Sequence, residues 1–347
     1  MSFSFQRIAF PHASSTNRGS THNWKIESKA LQGNYWNDPI ERDVWVYLPP
    51  QYDAQTAYPL VVFLSGFAGT GEMMLNRNLN EASIIDRCDR WIADGTPPFI
   101  AVFPDCMTSL GGSQFVNSPA IGNYAQYIAE DLVEHLRKHC SITHIGLTGR
   151  SSGGYGAVRL AMEYPHVFSA VACHAGDMGF ETAFLGELTQ AMIPLHQAGS
   201  AFAFLEKFWT AKHWSGADFA AFNLLCMSAA YSPSSTTMLT PTEFPAEIPI
   251  DFQHGSIKWD VFHSWFAHDP ISLVDREGFA HNLQTLRYFF IDVGRFDEYN
   301  LQFGARKFSA KLDALGVSHI YEEFDGGHRG TNYRYDQSIP NMVVSLG

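Results

Sequence analysis

The sequence predicts a doubly wound α/β fold on a mostly parallel central sheet of about eight strands with helices on both faces. Three observations predict it. Short, apolar, β-rich runs alternate with helical patterns along most of the chain. The middle runs, LVVFL, FIAVF and YFFIDV, are almost continuously hydrophobic, as strands covered on both faces must be. One long stretch, residues 176–286, breaks the rhythm with no convincing strand and reads as an insertion over the sheet's ligand-binding edge, within a single domain spanning 1–347.

The expected strands are residues 24–31, 43–48, 60–64, 99–103, 144–148, 168–173, 288–293 and 319–324. The first two lie close together in sequence and suggest an antiparallel start. Residues 124–139 (YAQYIAEDLVEHLRKH) place apolar side chains at helical spacing and basic ones in the last turn, where the helix dipole favours them. Residues 154–164 and 298–315 follow the same pattern. The insertion carries helical segments at 202–209 and 218–227 and the loop SPSSTTMLTPTEFP. It is crowded with aromatics, among them Phe208, Trp209, Phe222, Trp259, Phe262 and Trp265. These pack a small core of their own, or some of them, Trp265 included, line a substrate pocket.

Composition removes several classes of function. The net charge is −12 with no basic patch, so nucleic acid is not an expected partner. The five cysteines are scattered and no CxxC pair exists, which argues against a disulfide framework or a zinc site. HSWFAHD resembles a loose metal-ligand pair but lacks a third ligand at telling spacing. Residues 1–20 lack a basic segment followed by an apolar run, and no apolar run is long enough to span a membrane. The expectation is a cytoplasmic protein without a membrane partner, with homo-oligomer formation left open.

The chemistry centres on Gly149-Arg150-Ser151-Ser152-Gly153, directly after the strand HIGLT. This is the G-x-S-x-G pattern of a nucleophile elbow, in which the serine sits at the apex of a sharp strand-to-helix turn and the small flanking residues prevent backbone clashes. The alternative is a tight glycine turn without catalysis. Ser151 as nucleophile needs a base, and the base needs an orienting carboxylate. In this fold the order is Ser, acid, His, with the acid after a late strand and the His after the last one. GRFDEYNLQ offers Asp297, which also suits an N-cap for a helix starting at Glu298; Asp292 and Glu298 are less well placed. DGGHRGTNY offers His328. The oxyanion hole is expected from the N–H of Ser152 and that of Phe67, in the turn Ser65-Gly66-Phe67-Ala68-Gly69. After the strand ending at Phe103, Gln114 and Asn117 offer hydrogen bonds to a substrate or form a polar surface loop.

These residues resemble the "Putative esterase" family of α/β-hydrolases, which includes esterase D (S-formylglutathione hydrolase), feruloyl, acetylxylan and enterochelin esterases and mycolyltransferases. The segments that carry the resemblance are RDVWVYLPPQYD, YPLVVFLSGFAGTGE, GNYAQYIAEDL, GLTGRSSGGYGAVRLAM, DVGRFDEYNLQFG and EEFDGGHRGTNYRYD. The resemblance implies an α/β-hydrolase fold, Ser151, Asp297 and His328 as catalytic residues, Phe67 as an oxyanion donor, and no metal or organic cofactor. The segment around His328 differs from that of the S-formylglutathione hydrolases, and the insertion matches no subgroup.

The expected function is a serine carboxylesterase that hydrolyses a small ester through an acyl-enzyme. A thioesterase and an acyltransferase are alternatives on the same fold. A non-catalytic binding protein is the alternative from another class.

Overall fold

The computed structural model describes residues 17–76, 81–234 and 243–347. Eight strands form the main sheet: β1 (Ser20–Glu27), β2 (Glu41–Leu48), β3 (Tyr58–Leu64), β4 (Ile100–Pro104), β5 (Ile142–Arg150), β6 (Phe168–His174), β7 (Tyr288–Gly294) and β8 (Ile320–Phe324). Their order is β1-β2-β4-β3-β5-β6-β7-β8. β2 pairs antiparallel with β1 and β4, and every other pairing is parallel. The expected antiparallel start and parallel remainder are both present.

Each strand forms where the sequence expects it, with shifted ends. β1 lies at 20–27 rather than 24–31, because it is an edge strand with mostly exposed side chains (STHNWKIE) and carries little apolar signal. β3 and β4 are buried along their whole length, which is why they read as unbroken apolar runs.

The helices that matter here are α1 (Ile84–Ala93), α2 at 124–139, α3 (Ser152–Glu163), α4 (Phe180–Ala198), α5 (Ala201–Thr210), α6 (Gly216–Tyr231), α7 (Trp259–Trp265), α8 (Leu301–Ala314) and α9 (Tyr335–Leu346). α2 is α-helical at both ends with a π-helical stretch at Tyr127–Leu132. The helix expected at 298–315 begins later, at Leu301, and its cap is Asn300 rather than Asp297. α9 escapes a periodicity reading because Pro340 lies inside it. Part of the loop SPSSTTMLTPTEFP falls outside the described residues.

Two apolar clusters cover the two faces of the sheet. On one face, Val61, Phe63, Ala101, Phe103 and Phe290 meet Trp91 of α1 and Ile339, Met342 and Leu346 of α9. On the other, Leu60, Val62, Leu64, Val102, Leu147 and Ile291 join α2, α3 and α8, and the same cluster runs on into α4, α5 and α6. α6 is buried throughout from Ala220 to Tyr231, as a helix that is apolar all round must be. Phe184, Tyr231 and Trp265 link α4, α6 and α7 through ring contacts of 6.0 and 5.7 Å. All five cysteines are buried and unpaired. Among the described residues no helix is long and apolar enough to cross a membrane.

The sheet register brings the functional loops together. Leu64 of β3 pairs with Gly149 of β5, and Arg150 at the end of β5 pairs with His174, which pairs with Asp292 of β7. The segments that follow, starting at Ser65, Ser151, Ala175 and Arg295, therefore leave one edge of the sheet side by side.

Candidate active site

Ser151 is the turning point between β5 and α3. Its backbone sits at φ 58°, ψ −128°, a conformation that costs an L-residue energy and persists only where the surroundings enforce it. The surroundings are tight. A Cβ on Gly149 would stand 2.5 Å from the Gly153 carbonyl carbon, and one on Gly153 would stand 2.1 Å from the Leu64 oxygen. The Ser151 N–H is held by the His174 carbonyl at 3.0 Å. Gln114, Phe115, Ala175 and Asn300, in the neighbouring loops, also adopt positive φ.

The imidazole of His328 is fixed from two sides. Its Nδ1 lies 2.8 Å from Asp297 Oδ2, and its backbone N–H donates to Glu298 Oε2 at 2.7 Å. The other Asp297 oxygen accepts from the Tyr299 N–H at 2.9 Å, and the Tyr299 ring stands edge-on to the imidazole at 4.8 Å. Asp297 is thus spent on His328 and a local turn, while Glu298 anchors the histidine loop. The hydrogen bond from the His328 N–H holds the Glu298 carboxyl below its usual range.

The Ser151 hydroxyl donates to Asp177 Oδ1 at 3.4 Å, and the Ser152 hydroxyl to Asp177 Oδ2 at 2.9 Å. Burial pushes the Asp177 carboxyl up to about 6, against the Ser152 and Ser151 hydrogen bonds and the nearby His328. Phe67 approaches the elbow through its loop: a Cβ on Gly66 would stand 3.4 Å from the Arg150 oxygen and 3.7 Å from Ser151 Cβ. The Phe67 ring packs on Phe219 and Phe222 of α6. Ser152 opens α3, so its N–H belongs to the first turn, whose donors have no partner within the helix.

A cavity of about 380 Å³ collects these groups. Gly66, Phe67, Ser151, Ser152, Asp177 and His328 line it on the sheet side. Ala183, Phe184 and Glu187 of α4 and Phe219, Asn223 and Met227 of α6 form the opposing helical wall. Three expected substrate contacts lie elsewhere. Gln114 is fully buried behind the elbow, donating to the Ser152 hydroxyl at 2.9 Å and accepting from Tyr231 at 3.4 Å. Asn117 is exposed and its side chain accepts from the Gln126 N–H at 3.0 Å, bracing α2. Trp265 is fully buried, with its indole N–H on the Ser232 hydroxyl at 2.9 Å. None of the three borders the cavity.

The model of the family described as "Putative esterase" matches residues 39–345. The chain belongs to this esterase family.

Solved structures agree on the fold. A ferulic acid esterase superposes with a TM-score of 0.59 at 16% identity, covering 95% of this chain and 99% of its own. An S-formylglutathione hydrolase from Agrobacterium tumefaciens superposes at 0.57 with 14% identity, covering 96% and 98%. A fluorophosphonate-binding serine hydrolase of Staphylococcus aureus superposes at 0.55 with 14% identity, covering 95% and 99%. Comparison with curated proteins gave no match. The protein is therefore an α/β-hydrolase of an esterase family, a hydrolase acting on esters.

Within the esterase, Asp177, Phe184, Glu187 and Asn223 are among the cavity residues that went unforeseen. Asp177 had a usable signal, since it follows the C-terminal end of β6 on the edge where α/β sheets place their sites. Asn223 had a weaker one, as the lone amide in the apolar run FAAFNLLCM. Glu187 had none, because a glutamate on a helix most often faces water.

Proposed function

We propose that the protein is a serine carboxylesterase working through an acyl-enzyme, with Ser151 as nucleophile, His328 as general base and Asp297 as its orienting acid. The observation that carries this reading is the Asp297-paired His328 opening onto the same cavity as a serine on a strained elbow. Ser151 turns its hydroxyl from Asp177 towards His328, which removes the proton as the oxygen attacks the ester carbonyl. Asp297 holds the imidazole in the tautomer that leaves Nε2 free to accept, and stabilises the imidazolium. The Phe67 and Ser152 N–H groups receive the oxyanion; losing one such donor costs about 3–4 kcal/mol of transition-state stabilisation. His328 then protonates the leaving alcohol, and water repeats the sequence on the acyl-enzyme. In this reading the segment 176–286 serves as a cap whose α4 and α6 complete the substrate pocket.

Hydrolysis of p-nitrophenyl esters from acetate to octanoate, by the wild type and Ser151→Ala, tests the reading. The expected outcome is turnover by the wild type and a loss of at least about a thousandfold in the variant. A variant that keeps its rate, or a wild type inert towards every ester, overturns it.

A further inference from the structure

The Ser151 hydroxyl has its hydrogen bond on Asp177, a carboxylate to which the hydrolytic scheme gives no task. Asp177 lies in the short segment 175–179 between β6 and α4, and that segment is pinned at both ends. The Ala175 N–H is held by the Asp292 carbonyl at 2.7 Å, and the Gly179 and Phe180 N–H groups by the Asp269 carboxylate at 3.1 and 2.7 Å. Asp177 is 7% exposed and borders the cavity together with Ser151, Ser152 and His328.

The hydrogen bonds that reach it run in one direction. The Tyr231 O–H donates to Gln114 Oε1 at 3.4 Å, Gln114 Nε2 donates to Ser152 Oγ at 2.9 Å, and the Ser152 O–H donates to Asp177 Oδ2 at 2.9 Å. An amide NH2 can only donate, so the Ser152 oxygen accepts from Gln114 and its own proton points at Oδ2. Oδ2 is therefore an acceptor in either protonation state of Asp177. A proton taken up by the carboxyl goes to Oδ1, the oxygen that faces Ser151 Oγ at 3.4 Å. The hydrogen bond between them then reverses. Ionised, Oδ1 accepts the Ser151 proton; protonated, it donates to Ser151 Oγ, and the Ser151 proton can turn to His328 Nε2.

Charge acts in the same sense. Attack creates an oxyanion and an imidazolium, and Asp297 already supplies the counter-charge to the imidazolium. An ionised Asp177 sets a further negative charge against the oxyanion. Burial raises the Asp177 carboxyl to about 6; the Ser152 hydrogen bond, the His328 imidazole and the Ser151 hydrogen bond oppose the rise, and Asp297 adds to it. Glu187 of α4, itself raised to about 7 by burial, feels the Asp177 charge. Cys173 of β6 and Tyr231 of α6 feel it too, and burial pushes both up, so they stay neutral. Arg150 and Arg329 line the same cavity, the first bonded to Thr331 and Asn332, the second to Tyr299.

We infer that Asp177 switches the nucleophile by its own protonation: with Oδ1 protonated it donates to Ser151 Oγ and releases the serine proton to His328, and when ionised it retains that proton and slows attack. The inference rests on the reading of Ser151 as nucleophile and His328 as base. An uncharged ester that fills the cavity strips water from Asp177 and strengthens its hold on the proton, so substrate favours the protonated form.

The test follows labelling of Ser151 by a fluorophosphonate, read by intact mass, from about pH 4.5 to about pH 9. Ser151 Oγ bonds to phosphorus and fluoride leaves, so no natural substrate is needed. The wild-type rate should rise as His328 becomes neutral, then fall at least about tenfold as Asp177 ionises, around pH 6. Asp177→Asn mimics the protonated carboxyl, with an oxygen for Ser152 and an N–H for Ser151 Oγ. It should lose the alkaline fall and exceed the wild type at about pH 8.5 by at least about tenfold. Ser152→Ala removes a hydrogen bond that favours the ionised form, so its fall should move up by about half a pH unit or more. Glu187→Gln should keep the fall. Profiles of one shape in the wild type and Asp177→Asn, an Asn variant that melts cooperatively but labels more slowly at every pH, or a fall abolished by Glu187→Gln overturns the proposal. Should Asp177→Asn not fold, a fall that stays in place or moves down in Ser152→Ala overturns it. No label on the wild type, or a label retained in Ser151→Ala, removes the nucleophile reading and the switch with it. A label confined to Ser151, with the alkaline fall intact in Asp177→Asn, removes the switch alone.

Discussion

His328 Nδ1 stands 2.8 Å from Asp297 Oδ2, and the Asp297 side chain is wholly closed off from solvent. A buried carboxylate at that nitrogen fixes which ring atom carries the proton, and so leaves Nε2 facing the cavity as an acceptor. An Asp297→Asn protein keeps the shape and loses this control. Its kcat towards p-nitrophenyl acetate should fall by roughly 10³–10⁴-fold, with a cooperative melting transition retained. More than a tenth of wild-type kcat in the variant would remove Asp297 from the machinery.

A second array of the same residue types lies in the core. His174 Nδ1 meets Asp292 Oδ1 at 2.7 Å, and its Nε2 meets the Ser338 hydroxyl at 2.9 Å. Arg334 Nε closes on the other Asp292 oxygen at 2.7 Å. Ser338 is fully buried and His174 nearly so, so no substrate reaches them and the array acts as a structural clamp. Asp292→Ala takes away the buried acceptor of both His174 and Arg334, leaving Arg334 only the more exposed Glu322, and urea unfolding should show a loss of about 1–3 kcal/mol. Ester turnover per folded molecule should change far less than in Ser151→Ala. The reverse pattern, full stability with lost turnover, would give the array a catalytic role.

The carboxylate at the helical wall should weigh on stability. Glu187 is held up at about 7, whereas an unfolded chain ionises it near the ordinary glutamate value of 4.5. Between those values the unfolded chain has released a proton that the folded chain keeps, so stability falls as pH rises and levels off above about 7. Glu187→Gln removes that dependence. At pH about 8 the variant should be more stable than the wild type by on the order of 2 kcal/mol, with the gap closing towards pH about 4.5. Chemical denaturation across this range checks it; a gap that widens on acidification contradicts the assignment.

Two glycines separate close packing from open space. At Gly153 an added Cβ would meet the Leu64 oxygen at 2.1 Å, whereas at Gly186, inside α4, it would meet nothing within 4 Å. Gly153→Ala should destabilise by more than about 2 kcal/mol and displace the elbow. Gly186→Ala should stabilise by up to about 1 kcal/mol through helix propensity alone. Thermal melts of the two variants, with turnover measured beside them, check the contrast.

The strands were legible because burial on both faces leaves an unbroken apolar signature, as in β3 and β4. The elbow was legible because the glycines that flank Ser151 have no room for a side chain. β1 was placed four residues late because an exposed edge strand need not be apolar. The helical wall was not legible for a different reason. Whether Glu187 faces water or a cavity depends on how α4 and α6 cross, and nothing local to either segment encodes that crossing. Gln114 and Asn117 misled in the opposite sense, since both amides are used in bracing loops.

The groups proposed for bond cleavage all hang from the strand ends, whereas α4 and α6, within one continuous stretch of chain, supply the wall that faces them. Recombination can therefore exchange that stretch between relatives as a cassette and leave the cutting apparatus in place. The limit on such grafting is set by the apolar cluster that runs from the sheet into α4 and α6 without a seam. A transplanted cassette has to bring complementary packing along with its new selectivity, so viable chimeras should come from swaps that include both helices and retain as the joint Phe184 and Tyr231 together with Phe180, whose ring meets both.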